Sequence, residues 1–175
     1  MKTYTIKKSK NYSGLHFRPL YKPTVMESEL QFHPSMIYES NNSGWQKLCG
    51  FSRGHHHYSS FRFVWRCWDG MFEIAAYQYT NGIRYSRMMW QMPIDRMFVI
   101  ATLEMNICIG IDNNVMYRFK TNNYRYHEVL ETMSNLPAFG YALHPYYENP
   151  LAAQSGAPHD MLFRFNRLAF ARWHQ

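Results

Sequence analysis

The chain has 175 residues, 18% of them aromatic (14 Tyr, 12 Phe, 5 Trp), with 12 Met and a formal net charge of +7. Three scattered cysteines, Cys49, Cys67 and Cys108, contain no Cys-x-x-Cys pair, which argues against a structural zinc site or a disulfide framework, and no apolar run is long enough to span a bilayer. With only 12 acidic residues, hydrolysis by paired carboxylates is disfavoured, while the basic excess suits a polyanionic partner.

Residues 2–6 (Lys-Thr-Tyr-Thr-Ile) are predicted as a short strand, followed by a polar stretch, 7–14. Lys2, Lys7, Lys8 and Lys10 make the only local basic cluster. A second short strand, 15–18, is stopped by Pro19. Over 24–32, Met26, Leu30 and Phe32 share one parity and Glu27, Glu29 and Gln31 the other, the period-2 pattern of a half-buried strand that Pro34 ends. Residues 40–44 (Ser-Asn-Asn-Ser-Gly) compose a loop, 46–51 a strand, and 52–55 a turn.

The centre of the chain follows. From Tyr58 to Arg66, Phe61, Phe63 and Trp65 alternate with Tyr58, Ser60, Arg62, Val64 and Arg66, so one face is aromatic and the other polar and partly basic. Residues 71–79 repeat the pattern, and Asn81-Gly82 turns them into a hairpin with 83–86, because both residues tolerate positive φ. Residues 94–105, after Pro93, read as a buried strand. A second hairpin joins 107–111 to 115–120 through Asp112-Asn113-Asn114. Over 124–133 helix and strand compete evenly. An aromatic strand, 138–147, a loop, 151–158, and a closing strand, 159–165, with Met161, Phe163 and Phe165 on one face, complete the chain. Ten or eleven short strands separated by turns predict an all-β, single-domain (1–175) antiparallel two-sheet sandwich. An up-and-down barrel is the alternative, and the long loops at 34–44 and 151–158 favour the jelly roll, because strands that cross between sheets need them.

Several residues taken together, Leu48, Gly50-Phe51-Ser52, His55-His56, Ser59, Arg62, Trp65, Ala76-Tyr77, Tyr79 and Gly82, resemble a group of small uncharacterised β proteins associated with gut bacteria and their phages. The later Leu143, Pro145-Tyr146-Tyr147 and Ala157-Pro158-His159-Asp160 extend that resemblance, which implies a concanavalin-like jelly roll. A wider resemblance is to the jelly-roll polysaccharide lyases, which line one concave sheet with Arg, a Gln/His pair and Tyr. Arg62 matches that Arg and Tyr141 that late-strand Tyr. The Gln-x-His motif of the alginate-lyase type is absent, and Tyr77-Gln78-Tyr79 stands near its place.

Among candidate sites, His55-His56-His57 is expected to be a loop whose side chains bond backbone or a neighbouring Tyr, since adjacent residues on an extended chain diverge and no further metal ligand shows spacing. Arg62 and Arg66 could bind an acidic sugar or phosphate through their planar forks, or instead pair with Glu73 or Asp69. In Pro158-His159-Asp160, Asp160 is expected to cap backbone donors. These residues favour first a non-enzymatic, lectin-like module whose ligand-binding residues are Arg62, Trp68, Tyr77, Tyr79 and Tyr141, with no metal and no cofactor. The rivals are a virion structural or accessory protein and a lyase of uronate polymers, with Tyr141 moving the proton and Arg62 neutralising the carboxylate. The expected partners are a glycan or other polyanion, or a second copy or virion partner, but neither a membrane nor sequence-specific nucleic acid. The absence of a leader or transmembrane segment predicts a cytoplasmic site of synthesis, with the virion as the other location.

Overall fold

Alternation along the central strands puts residues such as Phe61, Phe63 and Trp65, or Met161, Phe163 and Phe165, on one side, and two such apolar faces must cover one another. A computed structural model describes residues 1–13, 17–39, 44–99, 102–122, 124–148 and 156–172. Among these, twelve strands form two six-stranded antiparallel sheets packed face to face, a β-sandwich of jelly-roll type. In one sheet the order is β1 (Lys2–Ile6), β12 (Met161–Ala171), β3 (Val25–Gln31), β8 (Thr102–Ile109), β9 (Asn114–Thr121) and β10 (Tyr124–Glu131). In the other it is β2 (Pro19–Tyr21), β11 (Phe139–Leu143), β4 (Gln46–Ser52), β5 (Ser59–Trp68), β6 (Met71–Thr80) and β7 (Ile83–Pro93). Strands distant in sequence pair side by side, β12 between β1 and β3 and β11 between β2 and β4, which excludes the up-and-down barrel.

The central β5 carries the expected split. Phe61, Phe63, Trp65 and Cys67 are buried in the inter-sheet core. Phe63 meets the edge of Tyr117 at 5.6 Å, and Trp65 meets that of Phe163 at 5.3 Å while donating its indole N–H to the Met36 carbonyl at 3.2 Å. Opposite them stand Met26, Leu30, Leu103, Met105, Ile107, Phe119 and Phe165, all buried. Cys49 and Cys67 are buried free thiols, and Cys108 is a half-buried one.

The Asn81-Gly82 and Asp112–Asn114 hairpins form where expected, with Asn81, Gly82 and Asn113 at positive φ (53°, 76° and 60°). Three expectations change. Residues 94–105 are not one buried strand: Ile94–Val99 is a 3-10 turn and β8 begins only at Thr102. Asp95 and Arg96 are adjacent and both exposed, and a strand buried on both faces would have to take one of them inward. The helix option over 124–133 is also lost, because those residues form β10 on the edge beside β9, from Tyr124↔Thr121 to Glu131↔Asn114. A ready ladder partner outweighs the marginal stability of a short helix. Of the expected strand at 15–18, only its last two residues are described, and neither is in a strand; β2 begins instead at Pro19. Of the loops at 40–44 and 151–158, residues 40–43 and 151–155 lie outside the described residues. No helix among the described residues is long and apolar enough to cross a membrane.

Candidate functional site

The outer face of the β11–β4–β5–β6–β7 sheet forms the floor of a cavity of about 610 Å³, walled by residues 141–146 and Glu148 and by Tyr12 and Phe17. Strand register orders its polar groups in rows. Ser60 on β5 pairs with Tyr79 on β6, which pairs with Arg84 on β7. One row along, Gly50 on β4 pairs with Arg62, and Arg62 with Tyr77. Beyond it lies Lys47, beside Val64. Lys47, Arg62 and Arg84 therefore cross the floor diagonally, and Glu148, bound to Lys47, is the one carboxylate among the described lining residues.

Arg62 is the centre of this arrangement. It is only 7% exposed although it points away from the core, and its Nε has no hydrogen-bond partner among the described residues. Burial lowers the affinity of its guanidinium for the proton, and the surrounding Tyr77, Tyr141, Tyr79 and Tyr117 oppose that effect. No ion pair found among the described residues includes it; the pair with a carboxylate expected on this face belongs to Arg66, which binds Glu73 and lies 4.2 Å over the Trp45 ring. A guanidinium stays charged in proteins, so this one is a buried cation among phenols.

Gly50 explains how Arg62 fits. A Cβ at position 50 would lie 2.5 Å from the Arg62 Cβ and 2.1 Å from the Phe61 carbonyl oxygen, so only glycine allows β4 and β5 to approach this closely. Gly50→Ala is expected to cost about 1–3 kcal/mol through overpacking. It should also displace Arg62, which a denaturant melt and a ligand titration on the same variant would reveal.

The loop between β4 and β5 supplies the second element. His55, His56 and His57 turn rather than extend, and their rings cluster with centroids 4.2–5.5 Å apart. Ser60 Oγ donates to the His56 carbonyl at 2.7 Å, and His56 Nδ1 lies 2.6 Å from the hydroxyl of Tyr141, from β11. The expected His–Tyr contact is thus present. His56 is held down to about 4 by burial first, then by the charges of Arg62, His57 and His55. Its imidazole is neutral near pH 7 and accepts a proton at Nδ1 from the Tyr141 hydroxyl in one tautomer. Tyr77 is pushed up to about 12 by burial and by its hydrogen bond with Tyr79, which leaves it a neutral donor. Among the described residues no group of three or more His, Cys, Asp or Glu side chains is placed to hold a metal ion.

With this geometry in place, the comparisons separate cleanly. No family model matches the chain, and no curated protein does. The crystal structure of alginate lyase vAL-1 from Chlorella virus is similar to it, with a TM-score of 0.58 and 12% identity, over 98% of this chain and 84% of that one. What the two share is the fold.

Of the residues picked from sequence, Arg62, Tyr77, Tyr79 and Tyr141 line one cavity. Trp68 does not join them: it shares the parity of Arg62 but stands at the far end of β5, 37% exposed. Gln78, in the segment where a lyase motif was sought, points into the core, bonding Thr80 and the Glu131 carbonyl and accepting from Tyr117. Lys47, Arg84 and His56 were missed as site residues. Parity alone marks Lys47 and Arg84 as surface residues, and His56 becomes a site residue only through its contact with Tyr141. Asp160 does cap a backbone donor, accepting from the Lys8 N–H at 2.8 Å.

Proposed function

We propose that the protein is a polysaccharide lyase that cleaves uronate polymers by β-elimination. The observation that carries this reading is the hydrogen-bonded His56–Tyr141 pair beside the buried guanidinium of Arg62, which forms no ion pair among the described residues. A lectin-like site would use the same cations and tyrosines but has no need of a proton-transfer pair. That difference ranks the lyase above the binding module, and the fold likeness to an alginate lyase supports the same order.

The chemistry follows from the groups present. Arg62 pairs with the uronate carboxylate and stabilises the negative charge that develops on it when the C5 proton leaves. The Tyr141 oxygen takes that proton while its own hydroxyl proton passes to Nδ1 of His56. As C4=C5 forms and the C4–O4 bond breaks, the proton returns through Tyr141 to O4 of the leaving chain, which departs as an alcohol. Atoms and charge balance without a cofactor. Arg84, on one side of Arg62, attracts a neighbouring carboxylate of the polymer, while Lys47 on the other side is paired with Glu148.

The test is ultraviolet absorbance of the unsaturated product during incubation with alginate, polyglucuronate and pectate. A rise on at least one polymer is expected; flat traces on all of them would overturn the reading. The pH profile gives a second check. His56 must be neutral to accept a proton, so kcat/KM should hold down to low pH and fall as pH drops through about 4, not through the ordinary value of 6.5. Linkage runs the same way: between those values the unfolded chain binds more protons at His56 than the folded one, so its contribution to stability is lost as pH falls through the window.

A further inference from the structure

Arg53 follows β4 directly and is only 7% exposed, yet it forms no ion pair found among the described residues. Its guanidinium is spent on carbonyls instead. Nε donates to Pro137, one terminal nitrogen to Leu136 at 3.1 Å, and the other to Pro23 at 3.3 Å. Those carbonyls belong to irregular segments leading into β11 and β3, where no ladder partner is available to them. A planar fork with five donors can serve three such acceptors at once, which lysine cannot do in the same geometry.

The next residue tightens the same junction. Gly54, at φ +84°, donates its N–H to the Phe139 carbonyl at 2.7 Å, and a Cβ there would stand 3.0 Å from the Pro137 ring. On the other side of Arg53, Ser52 Oγ accepts from the Tyr141 N–H at 3.1 Å. The segment 52–54 is therefore fastened to the segment 136–141 by side chain and backbone together. His56 lies two residues beyond one half of this clamp, and Tyr141 lies two residues beyond Phe139 in the other.

We infer that Arg53 is a positioning residue that holds the His56 loop against β11 and so sets the His56–Tyr141 contact. This inference rests on the lyase reading for its catalytic consequence, but the geometry it describes exists whatever the reaction. The groups facing His56 are Arg62, His55, His57 and Tyr141, with Lys47, Tyr77, Tyr79, Arg84 and Glu148 around the rest of the cavity.

The experiment uses the full chain carrying Arg53→Met or Arg53→Lys, with folding confirmed by circular dichroism. Two readouts follow: an NMR titration of the His56 ring, and kcat and KM on whichever uronate polymer the wild type cleaves. In Arg53→Met the midpoint of His56 should move up from about 4 toward 6.5, as the ring leaves its desolvated place beside Arg62. With that shift kcat should fall at least about tenfold, with KM changed by less than about twofold, since a displacement near 1 Å is enough for such a loss. Arg53→Lys, keeping the charge but not the fork, should fall between, and it decides by the same readouts if Arg53→Met does not fold. A folded variant whose His56 titrates as in the wild type overturns the inference. If the wild type cleaves no polymer while the titration still shifts, the lyase reading fails and the positioning role stands.

Discussion

Tyr141→Phe is expected to lower kcat on a uronate polymer by about 10²–10⁴-fold, the range over which a positioned acid–base group acts, with a much smaller change in KM. The substitution removes one oxygen and leaves the ring, so the 5.7 Å packing of Phe17 on Tyr141 should persist. What it removes is the hydroxyl hydrogen-bonded to the His56 ring, and with it the path between substrate and imidazole. The measurement is steady-state cleavage followed by ultraviolet absorbance, with binding of the intact polymer checked by calorimetry. Undiminished turnover would assign proton transfer to another group, and Tyr79, in edge contact with His57 at 5.5 Å, would be the next to test.

The second large effect lies one strand face away. Phe63→Ala should cost about 3–5 kcal/mol, because a fully buried ring in contact with Tyr117 leaves a cavity that the two sheets cannot close without moving. Its neighbour Arg62 offers the contrast. On strand alternation alone, Arg62 would be a surface residue, yet the cavity walls bury it. A buried guanidinium that forms no ion pair among the described residues carries a desolvation cost that its tyrosine neighbours offset only in part, so Arg62→Met, which keeps the aliphatic stem, should leave stability within about 1 kcal/mol of the wild type or raise it. The same variant should lose polymer cleavage. Denaturant melts of both variants decide this: a large loss of stability in Arg62→Met would mean that the guanidinium serves the fold and not a ligand.

That pair of neighbours also shows how much could be read before the fold was known. Period-2 alternation in residues 58–66 and 71–79 assigned Phe61, Phe63, Trp65 and Arg62 to their faces correctly, because side-chain direction on a strand is a local property of the backbone. The same local physics placed the Asn81-Gly82 turn, and the count of short strands with the long loops between them pointed to the jelly-roll sandwich. Local preference misled at 94–105, read as one buried strand, whose 3-10 turn follows from two adjacent charges, and it left 124–133 undecided, where a ladder with β9 decided for strand.

The site was legible only in fragments. Arg62, Tyr77, Tyr79 and Tyr141 could be picked out as polar or aromatic residues on predicted strands, but nothing in the sequence joined Tyr141 to His56, 85 positions away. That contact exists because β11 docks beside β4, a long-range pairing that sequence separation does not encode. Trp68 was chosen on the same parity rule as Arg62 and fell outside the cavity, since parity fixes a face and not a place along the strand. Sequence determined which residues face which way. The tertiary structure alone decided which of them meet, and that Arg62, outward-facing by its parity, would be enclosed as a buried charge.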